Sequence, residues 1–329
     1  MNNNNFYDAP IQLSRMLPER VAYFKFYDFH GESGVGEEVQ QTSPVELDGL
    51  NVRFRVQQIA PVGHAGGHEA QFGICNLSPQ MMAKLANIYP VPKSEGTKQS
   101  GYRRVQLVAG YKSSNPQING KAVIFDGSIL KTHVSSGPPD VWFEFNGFAF
   151  QGGKVQGTFT EEADIRDILK WASKKCGFAP PVIHAKKTLK LNQFRIDGSP
   201  SEIARQLADT AAGGGMRLLQ KTAPNNAQKR QLILIDVDNK GNLQYGENFG
   251  RRWLISEHSG LIGVPEIHFA SANIVTVFNP HIIPTDIVEL KSSLMPYWNG
   301  VYWVARLEHY GELRGRDFCT KMELFKIWK

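Results

Sequence analysis

The stretch GVYWVARLEHYGELRGRDFCTKMELF, residues 300 to 325, holds a histidine, a cysteine, two tyrosines and several glutamates in one short span. Residues of one parity are Val301, Trp303, Ala305 and Leu307, and those of the other are Tyr302, Val304, Arg306 and Glu308. A period of two is typical of a strand with one drier and one wetter face. A polar turn at 311–316 precedes a second alternating run from Phe318. The pattern predicts a β-hairpin, with His309 and Glu312 at its strand end and turn, where polar side chains are ordinary.

Composition supports a β-rich chain of several compact units. A chain of 329 residues is too long for one ordinary core, so we expect two to four units. The 31 glycines and 18 prolines indicate many turns, and 41% hydrophobic residues are enough to fill the cores. No apolar run approaches the roughly 20 residues that cross a bilayer, so no membrane insertion is expected. The N-terminal MNNNNFYDAP lacks the features of a secretory signal, and three dispersed cysteines fit folding in a reducing cytoplasm.

The charge balance gives no nucleic-acid motif. The net charge of +6 comes from 37 basic and 31 acidic residues. Its basic residues form scattered doublets without interleaved aromatic residues, namely Arg103-Arg104, Lys174-Lys175, Lys186-Lys187, Lys229-Arg230 and Arg251-Arg252. Such a balance permits contact with a polyanion but does not argue for specific binding.

The first 157 residues predict an antiparallel barrel or sandwich. Alternating strands are expected at 22–27, 52–58 and 71–75, with three more between 102 and 150. Ser78 is suited to be the N-cap of a short helix that starts at Pro79 and ends near Asn87. The Asp126-Gly127 and Asn146-Gly147 dipeptides suggest tight hairpin turns or bulges.

The middle of the chain changes to two small β-α-β units, at 158–193 and 194–249. Their helices are expected at 163–175 and about 200–211, and an offset of 38 maps Ile165 onto Ile203. Ser199 and Glu202 form a capping-box pattern. A strand pair is expected around 239–241. Residues 250–329 then return to strands. The fold class is therefore mainly β with an α/β insertion, in which two β-barrel-like domains, 1–157 and 250–329, flank the two small units.

Candidate chemical sites in the sequence are weak. His64 and His68 are spaced like zinc ligands on a helix, but Gly66 and Gly67 disfavour a helix there. Asp126 and Glu144 could form a glycosidase pair only if they lay roughly 5–10 Å apart, which a sequence cannot fix. The glycine run at 211–216 follows its helix, so it indicates a C-cap and not a phosphate loop.

Cys176 lies at a helix end without a nearby histidine, and no G-x-S-x-G motif is present. We therefore expect no catalytic, cofactor-binding or metal-binding residues and no enzyme activity.

Several motifs together resemble a family. FRVQQIAPVGHAGGHEAQFGICNLSPQMMAKL, with Asn76, Leu77 and Ser78, is similar to the N-terminal barrel of the hub proteins of phage baseplates. The A-G-Y and F-D-G segments at 109–111 and 125–127 resemble the strands that follow. The C-terminal sequence is similar to the family's pattern G-x-Y-x-V-x-x-x-x-H-x-G-(D/E). The matching positions here are Gly300, Tyr302, Val304, His309, Gly311 and Glu312.

The resemblance covers nearly the whole chain and implies a structural role without catalytic residues or cofactors. It implies a homotrimeric ring in the tail baseplate of the virion, assembled in the host cytoplasm. Three chains with two barrels each would match a sixfold tail tube on one side and a threefold central spike on the other. Implied partners are the tail tube or distal tail protein, the spike and the tape measure protein. DNA would pass through the ring without specific binding.

Two other classes of function stay open at this point. A tail-associated cell-wall hydrolase would need paired carboxylates or a zinc triad, for which the chain has no spare segment. A peptidoglycan-binding module is the third possibility, because the small β-α-β units look somewhat like LysM repeats.

Overall fold

The structure of the chain is a computed structural model. It describes residues 7–8, 19–28, 44–62, 68–86, 102–112, 120–137, 140–149, 154–223, 226–238, 242–244 and 250–327. Within these ranges the protein is mainly β, which confirms the fold class. Its strands are β1 (Tyr7–Asp8), β2 (Arg20–Asp28), β3 (Val45–Leu47), β4 (Val52–Ile59), β5 (His68–Cys75), β6 (Tyr102–Tyr111), β7 (Ala122–Gly137), β8 (Asp140–Phe148), β9 (Val155–Phe159), β10 (Ala163–Asp164), β11 (Ala179–Ile183), β12 (Lys190–Leu191), β13 (Phe194–Gly198), β14 (Met216–Ala223), β15 (Asn226–Asp236), β16 (Arg252–Ser256), β17 (Leu261–Ile267), β18 (Ser271–Val277), β19 (Ile287–Lys291), β20 (Gly300–Glu312) and β21 (Phe318–Lys326).

Three α-helices occur in the described ranges. They are α1 (Pro79–Ala86), α2 (Ile165–Lys175) and α3 (Pro200–Gly213). Ser78 caps α1 by accepting a hydrogen bond from the Met81 amide at 3.2 Å, and Ser199 with Glu202 forms the expected capping box of α3. These local patterns were predicted because capping depends on residues only three positions apart. The strand pair expected around 239–241 has its turn outside the described residues.

The β-hairpin predicted within residues 300–325 is confirmed, and its first strand contains one β-bulge. β20 and β21 pair antiparallel, and the register shifts between Val304 and Arg306, so that Ala305 is bulged. Before the bulge, Tyr302 to Ala305 are buried on both faces of the strand. A bulge moves later side chains to the opposite face, and Leu307 therefore shares the core of Val304.

The Asp126-Gly127 and Asn146-Gly147 dipeptides do not form hairpin turns. They lie inside β7 and β8, where both are paired in antiparallel ladders. The irregular positions of β7 are Ile124, where its register with β6 shifts, and Leu130, where its register with β8 shifts. Tertiary pairing thus decides the conformation of dipeptides that favour turns in isolation.

Strands β2 to β8 and α1 form the N-terminal β unit, and β16 to β21 form the C-terminal β unit. Hydrogen-bonded neighbours in the N-terminal unit follow the order β4-β5-β8-β7-β6-β2. In the C-terminal unit they follow β17-β18-β21-β20-β19-β16. When the six strands of each path are numbered in chain order, with the short β3 at the end of the N-terminal sheet left out, both paths run second, third, sixth, fifth, fourth, first. The first four pairings of each path are antiparallel; the last is antiparallel for β6–β2 and parallel for β16–β19.

A matching backbone bond supports this correspondence. Asn76, just after β5, donates its amide to the carbonyl of Val141 at the start of β8. Phe278, just after β18, donates its amide to the carbonyl of Phe318 at the start of β21. The two β units therefore repeat one topology, which no sequence repeat indicated.

The insertion between them, β9 to β15 with α2 and α3, is a single packed body. β9 pairs with β13, and β15 lies between β11 and β14, so strands of one predicted small unit pair with strands of the other. Ile168, Leu169, Ile203 and Leu207 of the two helices lie in one core. A further buried cluster, with Leu219, Ile233 and Trp303, joins the insertion to the C-terminal unit. The boundaries at 157, 193 and 249 stay a prediction.

The sheet that contains both β units is continuous and does not close into a barrel within the described residues. Its main path runs from β1 through β16, β19, β20 and β4 to β3, and β21, β18 and β17 branch from β20. The connection between the units is the pairing of β20 with β4. This junction positions the candidate site.

Candidate assembly interface

β20 is long enough to serve both β units. Its first residues pair with β19, and residues 306–312 pair with residues 53–59 of β4, from Arg306 opposite Ile59 to Glu312 opposite Arg53. An ion pair between Arg55 and Glu308, with the nitrogen and oxygen 3.0 Å apart, crosses this ladder. Because a shared strand fixes both neighbours by regular hydrogen bonds, the two units are held in one defined orientation.

The turn after β20, residues 313–317, docks onto the N-terminal unit and is called the joining turn. Arg20 donates to the carbonyl oxygens of Gly315 at 2.7 Å, Arg316 at 3.1 Å and Glu312 at 3.3 Å. Its guanidinium also lies 5.2 Å from the ring centre of Phe318. A guanidinium suits this place because its several donors lie in one plane and can serve several carbonyls.

Asn51 holds the other side of the joining turn. Its Nδ2 donates to Glu312 Oε1 at 2.9 Å, and its Oδ1 accepts from the Arg314 amide at 3.2 Å. The Leu313 amide donates to the Val52 carbonyl at 2.8 Å. Glu312, which the sequence placed in a turn, thus lies at a joint between the two units.

Aromatic rings fill the space beneath the joint. Phe278 and Phe318 of the C-terminal unit are buried in the core of the N-terminal unit, and their ring centres lie 4.5 Å apart. Phe318 also contacts Phe54 and Tyr111, with ring centres 5.7 and 5.4 Å away. Burial raises the pKa of Tyr111 to about 12. The two units therefore share side chains as well as a strand.

His309 does not lie at an exposed strand end, as the sequence suggested. It is buried in β20, where its Nδ1 lies 3.0 Å from Thr320 Oγ1 and its ring contacts Phe278. Burial lowers the pKa of His309 to about 3. The expectation was wrong because alternate side chains of β20 remain buried beyond Leu307, where β4 covers the strand. A neutral, buried imidazole of this kind is a core residue.

Of the two histidines with zinc-ligand spacing, His64 lies outside the described residues. His68 begins β5, is buried, and has its Nδ1 3.3 Å from Thr222 Oγ1. Burial, assisted by the charge of Arg230, lowers the pKa of His68 to about 3. No group of three histidine, cysteine, aspartate or glutamate side chains suited to a metal ion occurs in the described ranges.

Asp126 and Glu144 do not face each other. The Asp126 carboxylate accepts two hydrogen bonds from Arg104 at 2.9 Å each and one from Gln106 at 2.6 Å. Burial raises the pKa of Asp126 despite these partners. Glu144 forms ion pairs with Arg53 and His133. Glu144 is opposite His133, seven residues along β7 from Asp126, so the carboxylates are roughly 20 Å apart at about 3.3 Å per residue. That separation rules out a glycosidase pair.

The remaining candidates are structural. The glycine run ends α3, with Gly214 as C-cap and Gly215 in the left-handed region, as predicted. Cys176 caps the C-terminus of α2, and burial raises the pKa of its thiol to about 11, which keeps it protonated at neutral pH. Cys75, Cys176 and Cys319 are all free thiols. No helix of the described segments is long and apolar enough to span a membrane.

Sequence reasoning did not find Arg20 and Asn51. Their partners in the joining turn are more than 260 residues away along the chain, and neither residue belongs to a local motif. Only the outcome of folding brings these groups together. Glu312, by contrast, was visible because it matched a pattern within one hairpin.

The chain matches one known protein family over most of its length. Residues 35–324 match the family described as baseplate hub gp41. The chain belongs to this family. It is therefore a hub-family component of a phage tail, and the sequence-based resemblance is confirmed. No curated protein matches the sequence of this hub chain.

Several solved structures are similar to the hub chain, and three of them are described here. The first is the E. coli c3393 protein, described as a component of the type VI secretion system with structural similarity to the T4 phage tail proteins gp27 and gp5. It has a TM-score of 0.50 and 9% identity, covering 85% of this chain and 74% of that one. This likeness shows a shared fold.

The other two are tail proteins with TM-scores of 0.47. That of Neisseria meningitidis MC58 has 9% identity, covering 94% of this chain and 97% of that one. The 43 kDa tail protein of prophage MuSo2 from Shewanella oneidensis has 8% identity, covering 92% and 98%.

Proposed function

We propose that the chain is a structural hub that assembles as a homotrimeric ring in the baseplate and joins a sixfold tail tube to a threefold central spike. The observation that carries this proposal is the repeated strand order of the two β units. A trimer of chains that each hold two similar units offers six nearly equivalent surfaces on one side and three on the other. The shared strand and the joining turn support the proposal, because they fix the angle between the two units.

The charge balance of the chain is compatible with passage of DNA through such a ring. Residues 154–249 contain 15 of the 37 basic and 10 of the 31 acidic residues, so the insertion region carries +5 of the net charge of +6. The remaining residues, which include both β units, carry 22 basic and 21 acidic residues, a net charge of +1. A nearly neutral channel would hold passing phosphates weakly, whereas a strongly basic one would bind them in a salt-dependent way.

The proposed partners are further copies of the chain, the tail tube or distal tail protein, the spike and the tape measure protein. Assembly would take place in the host cytoplasm before the tail joins the virion. We also propose that the chain has no enzymatic activity. The separation of Asp126 from Glu144 and the protonated Cys176 thiol support this.

Cryo-electron microscopy of purified tails tests the ring directly. Three copies of the chain around the tail axis, with both β units of each copy facing the channel, are expected. One or six copies per baseplate would refute the trimeric adaptor. Zymography of the purified chain on peptidoglycan gels tests the absence of hydrolysis, and a lysis band at its mass would contradict that part.

A further inference from the structure

The pairing inside the chain indicates how one copy meets the next. We propose that the outer edge of β17 pairs antiparallel with residues 131–137 of β7 in the neighbouring copy, which repeats between chains the β4–β20 junction found within each chain. This inference rests on the proposed ring and adds which strands join its subunits. In this junction β7 corresponds to β20, and β17 corresponds to β4.

β7 and β20 have the same construction. The first half of β20 pairs with β19, Ala305 is bulged, and the second half pairs with β4. The first half of β7 pairs with β6 up to Ser128, and Leu130 is bulged against β8. The second half of β7 continues to Gly137, paired with β8 on one side only. Among the described strands, none pairs with its other side, which is the side that β4 covers on β20.

β17 and β4 also correspond residue by residue. Lys131 and Arg306 each directly follow a bulge, and they face Asn146 and Glu323. In the N-terminal unit, Asn146 of β8 lies opposite Gln71 of β5, which in turn lies opposite Arg55 of β4. In the C-terminal unit, Glu323 of β21 lies opposite Asn273 of β18, which in turn lies opposite Glu266 of β17. Glu266 therefore occupies in β17 the place that Arg55 occupies in β4. In the described part of the chain, β17 pairs only with β18, so its outer edge is open.

The correspondence fixes a register. Arg55 lies opposite Tyr310, which is four residues beyond Arg306. Four residues beyond Lys131 is Ser135. Glu266 of one copy is thus expected opposite Ser135 of the next.

The charges at the two edges are complementary. Within the chain, Arg55 forms its ion pair with Glu308, two residues from its direct partner. The equivalent of Glu308 in β7 is His133, and the basic residue Lys131 lies two positions before it in the strand. The acidic and basic residues have exchanged strands. Glu266 would face Lys131 and His133, of which His133 already contacts Glu144 of its own chain. The side chains of Glu266 and His133 are 70% and 52% exposed, so both are accessible to a neighbour.

Exposed apolar side chains occur on the same two edges. Val134 is 55% exposed on β7, and Ile262 and Val264 are 44% and 58% exposed on β17. A strand edge with exposed apolar side chains is a template for pairing with another strand. Pairing would cover these side chains and satisfy the backbone groups of both edges.

One feature of β17 limits the length of the ladder. Its register with β18 shifts between Ile262 and Glu266, and Pro265 has no amide hydrogen to donate. We therefore expect the contact between chains at Leu261-Ile262 and Glu266-Ile267, on either side of the bulge. The junction between chains is then weaker than the one within a chain.

The geometry suits a closed ring. β17 and β7 are different surfaces on different units, so their contact is heterologous, and a heterologous contact generates a ring when its rotation closes. Alternating β4–β20 and β17–β7 junctions would join six β units from three chains without leaving either edge free.

A disulfide cross-link tests the register. Tails are purified in which every copy of the chain carries both Ser135→Cys and Glu266→Cys. These tails are then mildly oxidised. Directly opposed residues of an antiparallel pair lie about 4.5–5.5 Å apart between Cα atoms, within the range of roughly 4.4–6.8 Å that a disulfide needs. We expect a covalent trimer on non-reducing gels, and no covalent trimer from either single variant.

Two controls accompany the cross-link. Gln57→Cys with Glu308→Cys, opposed within the chain, should close a disulfide inside one copy and run as a monomer. Ser135→Cys with Asp209→Cys on the exposed face of α3 should give no cross-link between copies. Three copies per hub with the internal disulfide formed, but no covalent trimer, would overturn the β17–β7 junction and leave the proposed function intact. A copy number other than three would overturn the proposed function itself.

A second pair of variants covers the case in which the double-cysteine tails do not assemble. Val134→Lys places a charge on the open half of β7, and Val123→Lys places the same charge on the half that β6 already covers. We expect at least a tenfold loss of assembled hub for Val134→Lys and a yield near the parent for Val123→Lys. Equal yields for the two variants would refute the junction.

Discussion

Two buried histidines show how position along a strand can be misleading at the residue scale. His68 and His309 lie in different cores, and burial lowers the pKa of each to about 3. An imidazole in such a place is neutral, and its role is to pack and to form one hydrogen bond. The pattern that singled out His309 therefore reports a core position at the junction of the units and not a reactive group.

These histidines predict an acid-labile fold. In the unfolded chain a histidine takes up a proton near pH 6.5, but in the folded chain His68 and His309 resist protonation down to about pH 3. The unfolded state thus binds more protons as the pH falls from 6.5 towards 3, and stability is lost over that window. Each histidine contributes a slope of about 1.4 kcal/mol per pH unit.

Urea unfolding between pH 7.5 and 5 measures this slope. His309→Gln removes one of the two groups, and the pH dependence of its unfolding free energy is expected to be correspondingly shallower. His268→Gln, at a half-exposed histidine, is the matched control for replacing an imidazole outside the cores. An unchanged slope in His309→Gln would contradict the assignment of acid lability to the buried imidazole.

At the scale of elements, helix ends followed local rules. Ser199 accepts from the Glu202 amide, and the Glu202 carboxylate accepts from the Ser199 amide at 2.7 Å. Ser199→Ala is expected to lower the free energy of unfolding by about 1 kcal/mol, because it leaves an amide of the first turn without its partner. Asp209→Ala, on the exposed face of the same helix, should change it by less than about 0.5 kcal/mol. Chemical denaturation of both variants gives the comparison.

The joining turn is the element that depends most on distant residues. Arg20→Ala removes three hydrogen bonds to carbonyl oxygens and the contact with Phe318. The expected loss is about 1 kcal/mol or slightly more of unfolding free energy, because two partly buried acceptors and one exposed acceptor lose a charged donor. Hydrogen exchange at the Leu313 and Gly315 amides should become faster in this variant.

Lys25→Ala is the control for Arg20→Ala. Lys25 lies on the same strand and forms an ion pair with Glu46 in which both side chains are partly exposed. Exposed pairs contribute little, so the variant should stay within about 1 kcal/mol of the parent. Faster exchange in the joining turn of Lys25→Ala, or none in Arg20→Ala, would contradict the docking role.

At the scale of the whole molecule, the C-terminal β unit is not self-sufficient. Residues 306–312 of β20 pair with β4, and Phe278 and Phe318 are buried in the core of the other unit. A fragment of residues 250–329 would expose these rings and an unpaired half-strand. We expect this fragment to aggregate or to lack the cooperative thermal transition of the intact chain, measured by circular dichroism.

The α/β insertion provides the comparison for that fragment. It has its own core, formed by residues of α2, α3 and the strands between them. A fragment of residues 154–249 should therefore keep helical circular dichroism. Cooperative unfolding of the 250–329 fragment alone would show that the C-terminal unit is an independent domain.

The sequence by itself determined the order β, then α/β, then β, the long C-terminal hairpin, and the helix caps at Ser78 and Ser199. Each of these follows from residues within a few positions of one another, through side-chain alternation or capping. The matched motifs also placed the chain in its family.

Only the tertiary structure decided which side chains are buried at the joint and how the units repeat. His309 is inward because β4 covers β20, and Arg20 reaches carbonyls almost 300 positions away. The two β units share a strand order without a sequence repeat, because the order depends on which backbone edges meet, and many apolar side chains fit the same edge. Long-range pairing of this kind leaves no local pattern. The edges of β7 and β17 that no described strand pairs with therefore emerge only from the folded chain.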